Sequence, residues 1–423
     1  MSTICVVGLG YIGLPVASML ASRGHNVVGY DVNPKAVDSV NKGQAHFFEP
    51  DLDMLLKAAV NIERLKASTM PVEADYYVIA VPTPFRAHHQ PDLSYVDAAT
   101  QSIAPFLKAG STVVLESTSP VGTTERIAEQ LAAARTDLRF PTYKETLGDF
   151  DVAIAHCPER ILPGQMVKEL VTNDRIIGGM TEKCSQAAAE LYRSFVSSEM
   201  FITDCRTAEF VKLIENSYRD VNIAFANELS VICDKLNIDV WAAIELANRH
   251  PRVSILQPGA GVGGHCIAVD PWFVVSAAPE ESRIIRAARE TNDAKPHWVA
   301  RQIIQHADRF KNPVVGCFGA TYKPDVEDMR ESPSLEVIKL VAANSDIRVI
   351  VCDPMIKGLP DELSGMNKVS FASIDDTCNQ SDIAALLVGH RQFRKISPNR
   401  FLNKIVVDAI GLLSRPRDVK ERI

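Results

Sequence analysis

Over the first 120 positions, short apolar and β-branched runs alternate with stretches of helical period. Ile4–Gly8, Val27–Tyr30, Tyr76–Val81 and Thr112–Leu115 read as strands, and Leu14–Arg23 and Tyr95–Leu107 as helices. This alternation predicts a parallel sheet covered by helices. Gly24 fits a helix stop, and Pro82 and Pro84 close their strand because proline cannot extend a ladder. The pattern continues weakly to about Phe201. From Thr207 to Leu236 neither Gly nor Pro interrupts the chain, which predicts a helix of roughly 30 residues and about 45 Å, a length that bridges domains or subunits. Further helical sequence leads to a loop with Pro251, Pro258, Gly259, Gly261, Gly263 and Gly264, where the backbone must turn tightly or approach something closely. A second α/β segment follows, with strands at Val314–Phe318, Arg348–Cys352, Ile383–Val388 and Ile405–Val407 and a helix at Leu335–Ala343.

At 423 residues the chain exceeds the roughly 250–300 at which one core stops growing, so two or three domains are expected. Its 46% apolar and 23% charged residues are those of an ordinary globular protein. The net charge of −7, with no dense basic run, excludes the electrostatic footprint of a nucleic-acid binder. No apolar stretch reaches the roughly 20 residues of a membrane span, and the run Ile4–Leu9 begins too early for a signal peptide, so a cytoplasmic protein is expected. Nine dispersed cysteines without a C-x-x-C pair argue against a disulfide framework or a structural zinc site, and no metal is expected.

Two places carry chemistry. The first strand runs into Gly8-Leu9-Gly10-Tyr11-Ile12-Gly13, followed by a helix, a second strand and Asp31, 18 residues after Gly13. That context is the dinucleotide fingerprint: Gly8 for the turn, Gly10 for approach of a pyrophosphate, Gly13 for helix packing, and Asp31 to accept from a ribose 2′-hydroxyl and repel a 2′-phosphate, which favours NAD over NADP. The second place is Gly261–Asp270, where Cys266 follows the glycine-rich loop and is expected to be exposed, unlike the other eight cysteines. A nucleophilic thiol together with NAD points to oxidation at the aldehyde level through a thioester, with a carboxylate as product. On the long helix, Lys212, Asn216 and Asp220 share one face to within about 80°, which by itself is the pattern of a solvated stripe.

Val6–Pro15, Val81–Pro84, Glu116–Thr123, Cys157–Arg160, Lys212 with Asn216, Gly263–Asp270 and Phe318–Ser332 stand in an order that resembles the UDP-glucose/GDP-mannose dehydrogenase family over essentially the whole chain. Within it, Asn248–Arg252 and Cys266–Phe273 are most similar to members acting on UDP-N-acetyl-D-mannosamine. The resemblance implies an α/β protein of two Rossmann-like doubly wound domains joined by a long central helix and a helical middle domain. The implied parts are an NAD-binding domain over 1–203, a central dimerisation domain over 204–307 and a UDP-sugar-binding domain over 308–423. The activity it implies is NAD-dependent, four-electron oxidation of a UDP-sugar at C6, consuming two NAD and one water in the synthesis of polysaccharide precursors.

By the same resemblance Cys266 is the nucleophile and Lys212 stabilises oxyanions. Asp270 and Thr118 orient a water, Asn216 supports the substrate, and Glu159 is a candidate base in hydrolysis. Tyr11, Ile12, Thr83, Thr118 and Arg330 join the glycines at the cofactor. Arg160, Gly263 and Lys323 join Glu159, Lys212 and Asn216 at the sugar nucleotide, and Arg252 reaches the site of a neighbouring subunit in a homodimer or higher oligomer. Ile267-Ala268 stand where UDP-glucose enzymes carry an aromatic residue, and His265 replaces a small one, so the sugar pocket differs from theirs. UDP-N-acetylglucosamine, UDP-N-acetylgalactosamine and UDP-glucose remain alternative substrates. A two-electron dehydrogenase of the β-hydroxyacid type has no need of Cys266, and an NAD-responsive protein with a redox-sensing thiol is the reading from a different class.

Overall fold

The computed structural model describes residues 1–47, 49–86, 89–144, 149–161 and 164–413; the last ten positions of the expected C-terminal domain lie outside them. Packing divides the chain into two units, Met1–Glu215 and Asn216–Ile423.

In the first unit the chain runs β1 (Thr3–Val7), α1 (Gly13–Ser22), β2 (Asn26–Tyr30), α2 (Pro34–Asn41), α3 (Leu52–Asn61), β3 (Leu65–Ser68), β4 (Tyr76–Ile79), α4 (Ser94–Ile103), β5 (Thr112–Leu115), α5 (Thr123–Ala134), β6 (Ala153–His156), α6 (Met166–Thr172), β7 (Arg175–Gly179), α7 (Glu182–Tyr192) and β8 (Met200–Asp204). The strands form one sheet in the order β3-β2-β1-β4-β5-β6-β7-β8, parallel except where β6 meets β7. Alternate residues of β1 enter different cores, Ile4 and Val6 on one face and Cys5 and Val7 on the other. Burial on both faces is why β1 reads as a continuous apolar run. The strand order reverses between β1 and β4, and an open α/β sheet binds ligands at the carboxyl ends of the strands beside that switch. The helix expected over Tyr95–Leu107 ends at Ile103 and tightens into a 3-10 turn at Ala104–Phe106, where Pro105 lacks the N–H an α-helix needs.

The long helix, α8 (Cys205–Leu236), carries the boundary between the units. The second unit continues with α9 (Val240–Ala247), α10 (Asp270–Ala277), α11 (Arg283–Ala307), β9 (Val314–Phe318), α12 (Pro333–Ala342), β10 (Arg348–Cys352), β11 (Val369–Phe371), α13 (Ile374–Gln380), β12 (Ile383–Leu386) and β13 (Ile405–Asp408). Its sheet is wholly parallel in the order β11-β10-β9-β12-β13. Residues 216–307, expected within a separate helical domain, belong to the same unit as this sheet, and α11 packs on α12.

One expectation on α8 is corrected. Asp220 is not part of a solvated stripe: it is fully buried, accepting from Arg289 at 2.7 Å and from the Asn292 amide at 2.8 Å. A buried carboxylate persists because it is paired and hydrogen-bonded.

Candidate active site

β1 delivers the chain into the glycine turn, and the three glycines are required for different reasons. Gly8 has φ +93°, and a Cβ there would stand 2.5 Å from the Ala80 carbonyl oxygen. At Gly13 a Cβ would lie 1.8 Å from the Gly8 carbonyl oxygen, so α1 can start against the turn only without a side chain. Nothing lies within 4 Å of a Cβ at Gly10. Its bareness therefore serves no packing need and leaves room for an incoming group. No side chain caps α1, so the positive end of the helix faces the turn. Asp31 directly follows β2 and accepts from the Leu9 and Asn33 N–H groups, each at 2.8 Å. A carboxylate offers about four acceptor positions, which leaves capacity for ribose hydroxyls. Tyr11 stacks on Phe47 with ring centroids 4.5 Å apart, and Ile12 packs on the core beneath the turn. Thr83 is buried and donates to the Thr118 carbonyl at 2.6 Å, tying the loop after β4 to the loop after β5. These residues fit a dinucleotide: an open backbone approach, a helix N-terminus and an acid for the ribose.

Next along the sheet edge, Glu159 and Arg160 follow β6. Glu159 is 7% exposed and accepts from Arg175 at 2.8 Å and from the Arg160 and Ile161 N–H groups at 2.6 and 3.1 Å. Arg160 pairs with Glu215 of α8 at 2.7 Å. Behind them Glu116 is buried, and its Oε1 accepts from the Tyr192 hydroxyl at 2.7 Å. Burial pushes the Glu116 carboxyl up to about 7, the negative charge of Glu159 adds to the shift, and Arg175 opposes it. Near the start of α8, buried Glu209 accepts from the Gly122 and Thr124 N–H groups, both at 2.7 Å, and so caps α5 in place of a local side chain. One turn further on, Lys212 is half-buried, and its ammonium has no hydrogen-bond or ion-pair partner among the described residues.

In the second unit Cys266 is exposed while the other eight cysteines are buried. Its carbonyl accepts from the Val269 and Asp270 N–H groups at 3.0 and 2.8 Å, which places the thiol at the entry to α10. Asp270, 3% exposed, opens that helix and receives the side-chain amide of Asn216 from α8. The glycine loop is shaped by what lies over it. A Cβ on Gly263 would meet the Glu331 carbonyl oxygen at 2.4 Å, and one on Gly264, at φ +84°, would meet the Tyr322 ring at 2.7 Å. The Gly264 N–H also donates to the Arg330 carbonyl at 3.0 Å, so the segment Tyr322–Glu331 is fastened to the Cys266 loop. Arg330 makes a forked pair with Asp328 and lies near enough to Cys266 for their charges to interact. Burial and the Arg330 charge depress His265 below the ordinary histidine value.

Lys323 is exposed on the loop after β9. That loop is anchored from below by Asp353, which accepts from the Ala320 and Thr321 N–H groups at 2.7 and 3.1 Å and lies 3.1 Å from His390 Nε2. The Asp325 N–H donates to His390 Nδ1, so the ring's proton sits on Nε2 and points at Asp353. Arg252 is exposed after α9, and its guanidinium has no partner among the described residues.

The structure thus brings Asn216 to Asp270, Thr83 to Thr118 and Arg330 to the Cys266 loop. The sequence gives no sign of Arg175, Tyr192, Glu209 or the Asp353–His390 pair, nor of the buried surroundings of Glu116. Tyr192 and Glu116 are 76 residues apart, and although Glu116 opens the motif Glu116–Thr123, nothing local in the sequence shows which groups it meets. Among the described residues no group of three or more His, Cys, Asp or Glu could hold a metal ion, and no helix is long and apolar enough to cross a membrane.

Sequence models of the UDP-glucose/GDP-mannose dehydrogenase family match three consecutive stretches: the NAD-binding domain at residues 2–196, the central domain at 206–294 and the UDP-binding domain at 316–415. The NDP-N-acetyl-D-galactosaminuronic acid dehydrogenase of Ralstonia nicotianae is 55% identical, over 98% of this chain and 97% of its own. The UDP-N-acetyl-D-mannosamine dehydrogenase of Escherichia coli K12 is 51% identical over 97% of this chain and 99% of its own. Among solved structures, a UDP-D-ManNAc dehydrogenase from Pyrococcus horikoshii superimposes with a TM-score of 0.88 at 36% identity, covering 98% of this chain and 96% of the other.

Proposed function

This chain belongs to the UDP-glucose/GDP-mannose dehydrogenase family, with NAD as its cofactor, and from that premise we propose that it oxidises the C6 hydroxyl of UDP-N-acetyl-D-mannosamine to the carboxylate. The product is UDP-N-acetyl-D-mannosaminuronate, a precursor for polysaccharide synthesis, made in the cytoplasm at the expense of two NAD and one water. The observation that carries the reading is Cys266: one exposed thiol among nine cysteines, at a helix entry next to buried Asp270, which half-buried Asn216 holds by a hydrogen bond.

NAD, when bound, supplies the hydride acceptor for each of the two oxidations. The rest falls to the chain. Asp270 and Thr118 orient the water that carries away the C6 hydroxyl proton, and Lys212 stands where an alkoxide develops negative charge. Cys266 Sγ, as thiolate, adds to the carbonyl carbon of the aldehyde and keeps it from leaving. The second oxidation converts that hemithioacetal to a thioester. Glu159 takes a proton from the attacking water, Lys212 and Asn216 hold the tetrahedral oxyanion, and collapse breaks the C–S bond to free the acid and the thiolate. Arg160, Gly263 and Lys323 hold the nucleotide sugar, and Arg330 reaches the cofactor.

We assign the chain to a homodimer. Phe210, Ile214, Tyr218, Phe225, Ile232 and Leu236 are exposed along α8 at helical spacings, a stripe that supports a second copy as its occupant. Arg252, exposed and unpaired among the described residues, is then available to the substrate of the partner.

A second reading keeps the chemistry and changes the sugar. The relative from Ralstonia nicotianae named for N-acetyl-D-galactosaminuronic acid favours UDP-N-acetylgalactosamine. A panel of UDP-N-acetylmannosamine, UDP-N-acetylgalactosamine, UDP-N-acetylglucosamine and UDP-glucose decides between them. The manno sugar is expected to give two NADH per sugar and the highest kcat/KM. A higher kcat/KM for the galacto epimer would replace it, and no NADH from any of the four would return the protein to the redox-sensor class.

A further inference from the structure

Beneath the Glu159 loop lies a polar cluster that the chemistry above does not use. Arg175 opens β7 and is 2% exposed; its Nη1 donates to Glu159 Oε2, while its Nε and Nη2 have no partner among the described residues. The guanidinium lies over the Tyr192 ring at 5.4 Å, and the Tyr192 hydroxyl donates to Glu116 Oε1. The other Glu116 oxygen is buried and equally without a partner. Two carboxylates therefore share the surroundings of one guanidinium, and only one of them holds it. Unmade hydrogen bonds in the interior are costly, so two orphaned donors near an orphaned acceptor define a second arrangement of the same groups.

Glu116 is also placed to matter. It directly follows β5, two residues before Thr118, while Glu159 follows the adjacent β6. Resting on the proposed role of Glu159 in hydrolysis, we infer that Glu116 and Tyr192 are positioning residues which, through Arg175, fix the direction of Glu159 during that step. With a proton on Glu116, Arg175 belongs to Glu159. When Glu116 ionises, the orphaned guanidinium N–H groups gain a competing acceptor, Arg175 is drawn towards it, and Glu159 loses its hold.

The groups facing Glu116 are Glu159 from the β6 end, Arg175 from β7, Tyr192 from α7 and Cys157 after β6. Burial pushes the Cys157 thiol up to about 12 and Tyr192 well above its ordinary value, and it depresses His156, next to Cys157 on β6, to about 3. None of these three changes charge near neutrality, which leaves Glu116 to titrate.

The test follows thioester hydrolysis after mixing enzyme, NAD and UDP-N-acetylmannosamine, by acid quench and mass spectrometry across pH 6–8. Glu116→Gln is nearly isosteric and mimics the protonated acid. Its rate is expected to match wild type at pH 6, and the ratio of variant to wild type to climb about ten-fold by pH 8, the span of one ionisation. Tyr192→Phe removes a donor to the ionised form, so it should move the wild-type midpoint to higher pH. A flat ratio for Glu116→Gln, or an unmoved midpoint for Tyr192→Phe, overturns the inference. Glu159→Gln separates the two levels. Wild-type hydrolysis in that variant removes the role of Glu159 itself, whereas slow hydrolysis with a flat Glu116→Gln ratio removes only the positioning cluster.

Discussion

Asp31 shows how one side chain serves fold and specificity together. Its carboxylate accepts from the Leu9 and Asn33 N–H groups, which fixes the glycine turn relative to the end of β2. The same charge repels a 2′-phosphate. Asp31→Asn is expected to raise KM for NAD about ten-fold, as for loss of one hydrogen bond to a charged group, and to make NADP a measurable substrate. Steady-state kinetics with both cofactors checks it, and unchanged preference would mean that the acid does not face the ribose. At this scale legibility followed local spacing. Gly8, Gly10, Gly13 and Asp31 could be read because their duties are tied to strand and helix boundaries, and Cys266 because glycines flank it. The relation of Arg175 to Glu116 could not: Arg175 opens β7, Glu116 follows β5, and only the folded sheet, with β6 between them, brings their charges within reach of each other.

Among the elements, the long helix and most apolar strands, short ones such as Thr112–Leu115 included, are legible in the sequence, and β11 is not. α8 was found to within two residues because nothing breaks it, although Asp220 was misjudged. Helical spacing gives the face of a residue but not what packs there, and Arg289 arrives from α11, 69 residues away. β11 has three residues at a sheet edge, and its pattern is too brief to register. The packing of α8 on α11 contains a second buried charge, Lys295, 4% exposed, which donates to Ser230 at 2.6 Å and lies over the Trp298 ring. Burial depresses this lysine from 10.5 to about 7, against an opposing pull from Asp234. Between those two values the unfolded chain holds a proton that the folded one lacks, so the contribution of Lys295 to stability rises with pH across that window. Lys295→Met is therefore expected to raise Tm at pH 7 by a few degrees, about 2–4 °C, with the gain shrinking towards pH 10. Thermal melts at the two pH values check this, and an equal or growing gain at pH 10 would contradict it.

For the whole molecule, the two sheets are legible in the sequence as two α/β segments separated by helical sequence. The helices of residues 216–307 lie in one compact unit with the second sheet, and α11 packs on α12. The exposed stripe on α8 sets the expectation above one chain. If Arg252 serves the partner's substrate, an Arg252→Ala chain and a Cys266→Ser chain are each inactive alone and recover activity when co-expressed. In the mixed dimer one site then has both the thiol and the arginine, and about half the wild-type activity per dimer is expected. Absence of recovery in a mixed dimer verified by mass would place Arg252 with its own chain.

The covalent claim rests on Cys266, and intact-protein mass spectrometry of an acid-quenched single turnover tests it most directly. With UDP-N-acetylmannosamine and excess NAD, the account predicts an adduct of one oxidised nucleotide sugar localised to the Cys266 peptide and absent from Cys266→Ser, which forms no acid. Wild-type acid formation by Cys266→Ser, or two NADH per sugar with no adduct at any quench time, would contradict it.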